Sequence, residues 1–292
     1  MSITDYIQFT ISGLTVGSAY ALTALGFTII FNATGIINFA QGEFVMLGGM
    51  LSVFIQKWTG LPLGLSIVVA LLITTAVGFL IERLAIRPVR RASVINLIII
   101  TIGVSIFVRA IAMLLWGKDT YALPHFSGNK PVNLLGAAVL PQSFWAIGIT
   151  LAGLFGLYLF FQRTIYGKAM LACAYNPKAA SLMGINVQRM VMYSFMLSAF
   201  FSALGGALIA PITLTSYDVG IMLGLKGFAS CILGGLGNPF GAAAGGFVLG
   251  VLESFGAGLV SSAYKDAFAF LLLLLFLFFR PSGLFGKEVK RV

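Results

Sequence analysis

Apolar residues in this chain run in long blocks separated by short polar links, and the blocks exceed what a strand or a buried helix of a soluble domain needs. Nine blocks read as helices, at roughly residues 7–31, 36–56, 63–86, 94–116, 143–162, 190–211, 221–237, 241–262 and 266–280. A bilayer core takes about 20 apolar residues per helix. The blocks at 221–237 and 266–280 are short for that. The first of these also carries Lys226 among glycines, which suggests a broken or re-entrant helix. The pattern therefore allows eight, nine or ten spans. The first block is too long for a removable signal and has no basic stretch before it.

Composition agrees. Of 292 residues, 59% are hydrophobic and 9% charged, against about 25% charged in a soluble domain. So few charges cannot coat a soluble globular enzyme, and the class of disordered chains is excluded as well. The net charge of +10 raises the question of nucleic acid, but its placement answers it. Arg83, Arg87, Arg90 and Arg91 follow the third block. Arg163, Lys168, Lys178 and Arg189 follow the fifth, and Arg280, Lys287, Lys290 and Arg291 end the chain. The alternate loops carry only Lys57, Lys118, Lys130 and Lys265. By the positive-inside rule the three clusters are cytoplasmic, and nine crossings with the N-terminus outside and the C-terminus inside satisfy them. The expected fold is all-α: one polytopic helix bundle over 1–292, with an extracytoplasmic loop at 117–142 and a cytoplasmic loop at 163–189. The basic excess adds at most an attraction to anionic membrane lipid, with no nucleic-acid partner. Cys173 is expected in a cytoplasmic loop and Cys231 inside a span, so no disulfide is expected.

The chain also reads as duplicated. Gly35-Ile36-Ile37 leads to Gly42 and then Gly48-Gly49, and Gly220-Ile221-Met222 leads to Gly227 and then Gly234-Gly235. Gly13, Gly17 and Ala21 before the first block match Ser198, Ser202, Gly206 and Ala210 before the second. The two copies would enter the membrane from opposite faces, as in an inverted-repeat transporter. A further ladder, Gly246, Gly250, Ser254 and Gly258, reads first as close helix packing.

Several polar residues fall inside these apolar blocks. Gly35 can end the first helix in a left-handed cap. If a helix restarts at Ile36, then Asn38, Gln41, Gly42, Gly49 and Ser52 share a stripe, with Glu43 opposite. A polar stripe at membrane depth faces either a pathway or a hydrogen-bonding neighbour helix. Glu43 needs a partner of its own, as a structural pair or a gate. Arg109 and Glu253 lie at similar depth and either pair with each other or leave Arg109 snorkelling to the surface. In the loop 163–189, Asn176-Pro177 reads as an N-cap followed by proline at the first helical position, and Gly184 as the closing residue of a short helix over 178–183. That helix either docks on a protein or lies on lipid.

No phosphate-binding G-x-x-x-x-G-K-[ST] run is present, His125 is the single histidine, and no metal-ligand cluster or catalytic triad can be assembled. With few intramembrane carboxylates for a proton relay, a pump built on this chain would need energy from elsewhere.

Taken together, these residues resemble the first membrane permease subunit of the bacterial Liv-type ABC importers, which take up branched-chain amino acids. The resemblance is carried by Gly17-Ser-Ala-Tyr-Ala-Leu, Gly35-Ile-Ile-Asn-Phe-Ala-Gln-Gly-Glu43, Glu82-Arg-Leu-Ala-Ile-Arg-Pro-Val89, Gly184-Ile-Asn186, Leu233-Gly-Gly-Leu-Gly237 and Arg280-Pro-Ser-Gly-Leu-Phe-Gly286. Many relatives carry histidine where this chain has Gln41. The resemblance implies a non-enzymatic subunit in the bacterial inner membrane. It would work with a second homologous permease, two cytoplasmic ATPases that hold ATP and Mg, and an extracytoplasmic binding protein. It also implies that the loop 163–189 couples to the ATPases, through Gly167, Lys168, Asn176, Pro177, Ala179, Ala180, Leu182 and Gly184. The route is expected near Asn38, Gln41, Gly42, Glu43, Lys226, Gly234 and Gly235. The same permease type for urea, amides or other amino acids stays open as a rival. So does a self-sufficient channel or secondary carrier.

Overall fold

Without water, backbone amides must satisfy one another, and helices do this within a single segment. The computed structural model describes residues 3–89, 93–134, 136–279 and 283–285, and these are almost entirely helical. The helices are α1 (Ile3–Thr34), α2 (Gln41–Thr59), α3 (Leu63–Ile81), α4 (Val94–Trp116), α5 (Pro141–Arg163), α6 (Ile165–Tyr175), α7 (Pro177–Leu182), α8 (Val187–Thr213), α9 (Val219–Gly234), α10 (Pro239–Leu259) and α11 (Lys265–Phe279). A π turn at Glu82–Ile86 and a 3-10 turn at Arg87–Val89 prolong α3. The one hairpin among the described residues, β1 (Val132–Leu134) with β2 (Ala137–Val139), lies between α4 and α5. The basic residues at 90, 91, 280, 287, 290 and 291 lie outside the described residues, as do most of the residues of the motif at 280–286.

Each of the nine apolar blocks coincides with a helix. Seven helical segments are long and apolar enough to cross a membrane; α2 is not among them, and α9 is a shorter apolar helix. Two expectations need correction. The helix after Gly35 restarts at Gln41 rather than Ile36, because Asn38 holds a turn: its side-chain oxygen accepts from the Ala40 amide and its carbonyl from the Gln41 amide. Gly35 does stop α1 with a positive φ of 72°. The second is α9, which is continuous through Lys226 rather than broken there, since the lysine charge is met by Glu253 and Asp266 on neighbouring helices.

Buried α1 and α8 form the centre, while α4, α5 and α11 are largely peripheral. The packing partners exchange as two copies of one unit would: α1 lies on α10 and α8 on α3, α9 lies on α1 and α2 on α8, and α1 meets α8 as α2 meets α9. Small residues make these approaches. A Cβ on Gly250 would overlap the Gly13 carbonyl and the Gly17 Cα, and one on Gly206 would overlap the Val45 carbonyl. The ladder in α10 is thus a packing surface.

Gly250→Ala should therefore cost about 1–3 kcal/mol through overpacking, seen as a lower Tm of the purified protein in detergent. Gly64→Ala, where nothing lies within contact range, should leave the Tm unchanged or raise it.

Candidate functional site

The unwound stretch between α1 and α2 brings polar groups to the middle of the bundle. Gln41 Nε2 donates to Ser202 Oγ, and Asn38 Nδ2 lies 3.4 Å from Gln41 Oε1. Ser198 Oγ sits 2.9 Å from both Gln41 Oε1 and the Gly26 carbonyl, and its single hydrogen serves one of them at a time. Asn38 and Gln41 are wholly buried in this network and tie α2 to α1 and α8. The Phe39 amide donates to Thr101 Oγ1 and anchors the stretch to α4.

One residue further on, the N-terminal turns of α2 and α9 touch. A Cβ on Gly42 would overlap the Gly220 carbonyl, and one on Gly224 would press on Gly42 Cα at 2.9 Å. Beside this contact is a cavity of about 170 Å³. Gly42, Glu43, Ser105 and Arg109 line it together with Gly220 and Gly224, and Phe27, Phe39, Ile102, Leu225 and Phe228 supply apolar walls. Asn38, Gln41, Lys226, Gly234 and Gly235 do not line it.

Glu43 sits in the first turn of α2, where the helix dipole favours an anion. Its Oε1 accepts from Ser105 Oγ at 2.7 Å and faces Arg109 Nη2 at 3.4 Å. Arg109 Nη2 also donates to Ser105 Oγ at 3.1 Å. Arg109 therefore pairs with Glu43, neither with Glu253 nor by snorkelling alone. Glu253 belongs to a second cluster: Lys226 Nζ lies 2.8 Å from Glu253 Oε1 and 2.6 Å from Asp266 Oδ1. Lys265 reaches Glu253 at 3.3 Å, and the Tyr20 hydroxyl donates to it at 3.3 Å. This charge-balanced group binds α9, α10, α11 and α1 together. Gly234 and Gly235 form the turn from α9 to α10, with Gly234 close against Gly241 and Gly235 at φ 105°.

The link from α5 to α8 folds as two helices, of which the pattern indicated only the second. Thr164 caps α6 by accepting from the Gly167 amide, and Gly167 lies against the Phe160 carbonyl, where no side chain fits. Asn176 caps α7 through the Ala179 amide, with Pro177 at its first position. The Gly184 amide donates to Ser181 and the Ile185 amide to Ala180, closing α7 in a Schellman motif with Gly184 at φ 83°. Ala180 is buried under this turn, whereas Lys168, Asn176, Pro177 and Ala179 are exposed. Tyr175, Leu182 and Met183 project at 85%, 89% and 83% exposure and form an apolar tip. Elsewhere, Tyr121 and Thr215 exchange both backbone hydrogen bonds at 2.8 Å, joining the α4–α5 link to the α8–α9 link.

The partners of Glu43, Ser105 and Arg109, were not found from sequence. The available signal was that a lone intramembrane arginine on α4 had two acids to choose from. A bundle with seven membrane-length apolar helices, and a small cavity at the meeting of two short ones, is the architecture of a polytopic membrane protein. Residues 9–277 match the model of the family described as the branched-chain amino acid transport system / permease component, and the chain belongs to that family. It is 35% identical to the high-affinity branched-chain amino acid transport system permease protein BraD of Pseudomonas aeruginosa, covering 99% of both chains. It is also 35% identical to the corresponding permease protein LivH of Escherichia coli, over 98% of each. Similarity extends, at 24% identity over 84% of this chain and 81% of the relative, to the guanosine ABC transporter permease protein NupQ of Bacillus subtilis.

Lys226→Met should remove about 3 kcal/mol of stability, because it strips buried Glu253 of its nearest cation. Thermal melting of the purified protein should show the loss, and exposed Lys130→Met should not move the Tm.

Proposed function

We propose that the chain is a permease subunit of an ATP-driven importer that carries branched-chain amino acids across a bacterial cytoplasmic membrane. One observation carries the reading: similarity to amino-acid permeases runs the full length of the chain, so the α2–α9 cavity and the α6–α7 projection both fall inside it. The partners are a second homologous permease, two cytoplasmic ATPases that bind ATP and Mg, and an extracytoplasmic binding protein. The chain's N-terminus faces outside and its C-terminus the cytoplasm. The binding protein docks on the loops 117–142 and 212–220. Their shared backbone bridge supports the idea that they act together.

Coupling runs through the segment 163–189. Its tip of Tyr175, Leu182 and Met183 is apolar and exposed, as expected of a helix seated in a protein cleft. ATP-driven closure of the ATPases moves α7, and with it α8, whose first turn follows within a few residues. The route passes the ends of α2 and α9, near Asn38, Gln41, Gly42, Glu43, Lys226, Gly234 and Gly235. Small residues there let the two short helices slide without unpacking side chains. The second permease covers the exposed face beside the cavity, where Ile106 and Ile221 stand free.

Reconstitution with the partner subunits tests this. ATP-dependent leucine uptake in proteoliposomes is the expected result, and ligand screening of the binding protein should return branched-chain amino acids. Urea, an amide or a nucleoside in their place would overturn the cargo, and uptake by the chain alone without ATP would overturn the mechanism. Leu182→Asp should lower uptake at least about tenfold, by burying an unpaired charge in the ATPase contact, with no change in Tm. Cysteines placed at 38 and 41 should be unreactive at rest and labelled during turnover. The native thiols give little background, since Cys173 and Cys231 are buried and burial pushes the Cys173 thiol up.

A further inference from the structure

Glu43 and Arg109 are oddly matched for a purely structural pair. An arginine and a carboxylate that only hold helices together gain most by meeting in a two-point fork. Here one contact at 3.4 Å is made, with Ser105 wedged between the groups. Glu43 Oε2 and Arg109 Nε are both buried, and neither has a hydrogen-bond partner among the described residues. Leaving a charged acceptor and a charged donor unmet costs free energy on both. Both residues line the same cavity, and Oε2 lies against Gly220 at the α2–α9 contact.

From this we propose that the cavity binds the zwitterionic head of an α-amino acid with an apolar side chain, Glu43 Oε2 receiving the ammonium group and Arg109 Nε the carboxylate. The inference rests on the transport reading above and assigns recognition within it. An ammonium has three donors and no acceptor, and a carboxylate only acceptors, so the two unmet groups are complementary to the two ends of the ligand. The wall carries one negative and one positive side chain. A ligand with a single charge would satisfy one and leave the other unmet, and a neutral cargo would satisfy neither charge. The opposite walls, Phe27, Phe39, Leu225 and Phe228, take an aliphatic side chain and offer it no polar partner. At about 170 Å³ the space suits one small metabolite. By contrast Lys226 engages two carboxylates at 2.8 and 2.6 Å and lines no part of this cavity.

The test uses the transporter assembled with its permease and ATPase partners and carrying Ile102→Cys at the cavity rim. No binding protein is present, so protection reports on the cavity itself. Millimolar L-leucine should slow thiol labelling about tenfold. Equal 4-methylpentanoate, which lacks the ammonium, and 3-methylbutylamine, which lacks the carboxylate, should change it little. Glu43→Gln should abolish leucine protection and, with the binding protein restored, cut leucine uptake about tenfold. Glu43→Asp, which keeps the charge, should retain part of both. The double variant Glu43→Gln with Arg109→Gln separates recognition from mere charge balance: it should stay unprotected and slow. Protection that survives in Glu43→Gln, equal protection by either single-charge analogue, or recovery in the double variant would overturn the assignment. Absence of leucine uptake by the unmutated transporter would count against the transport reading instead, since protection at Ile102→Cys is read without transport.

Discussion

Everything in this bundle depends on how closely its helix backbones approach. Lipid removes the hydrophobic drive that would press one helix on another in water, so contact must come from dispersion and shape. The chain meets that constraint with glycine, alanine and serine at the crossings: Gly13, Gly17 and Ala21 against Gly246 and Gly250, Gly48 against Ala203, Gly206 against Val45 and Gly42 against Gly220. Because the gaps are filled by backbone, the polar side chains left in the interior have few degrees of freedom. Gln41 is held between Gly26 and the serines of α8, and Glu43 has one arginine within reach.

Two ionic groups in the interior are built differently. The Lys226 group gathers four helices, with two short contacts to one ammonium, although Glu253 Oε2 has no hydrogen-bond partner among the described residues. The Glu43 group is looser and opens on a cavity. One chain thus carries both uses of buried charge, and geometry separates them. Short contacts that join several helices make a fastening; a long single contact beside empty space leaves chemistry unspent.

Much of this was readable from residues. The nine apolar blocks are nine helices because a run of that length has only one way to satisfy its amides in lipid. The Asn176-Pro177 start and Gly184 stop of α7 were legible because capping is local chemistry. What escaped were features set by partners distant in the chain. Asn38 looked helical on a wheel, yet its own side chain holds the turn before Gln41. Arg109 and Glu253 lie at similar depth, which left a pair or a snorkelling arginine open; rotation about each helix axis, which depth does not contain, sends Arg109 to α2 and Glu253 to α9. Helix α6 was missed because its apolar pattern is short and its cap, Thr164, sits at the end of another helix.

The bridge between Tyr121 and Thr215 belongs to neither ionic group, and its effect is mechanical. It links the loop leaving α4 to the loop leaving α8 through paired backbone bonds, which resist shear better than side-chain contacts do. The fourth helix of the first structural unit and the first helix of the second are therefore coupled at that end, like two oars in one rowlock. A load applied to either loop is therefore carried by both.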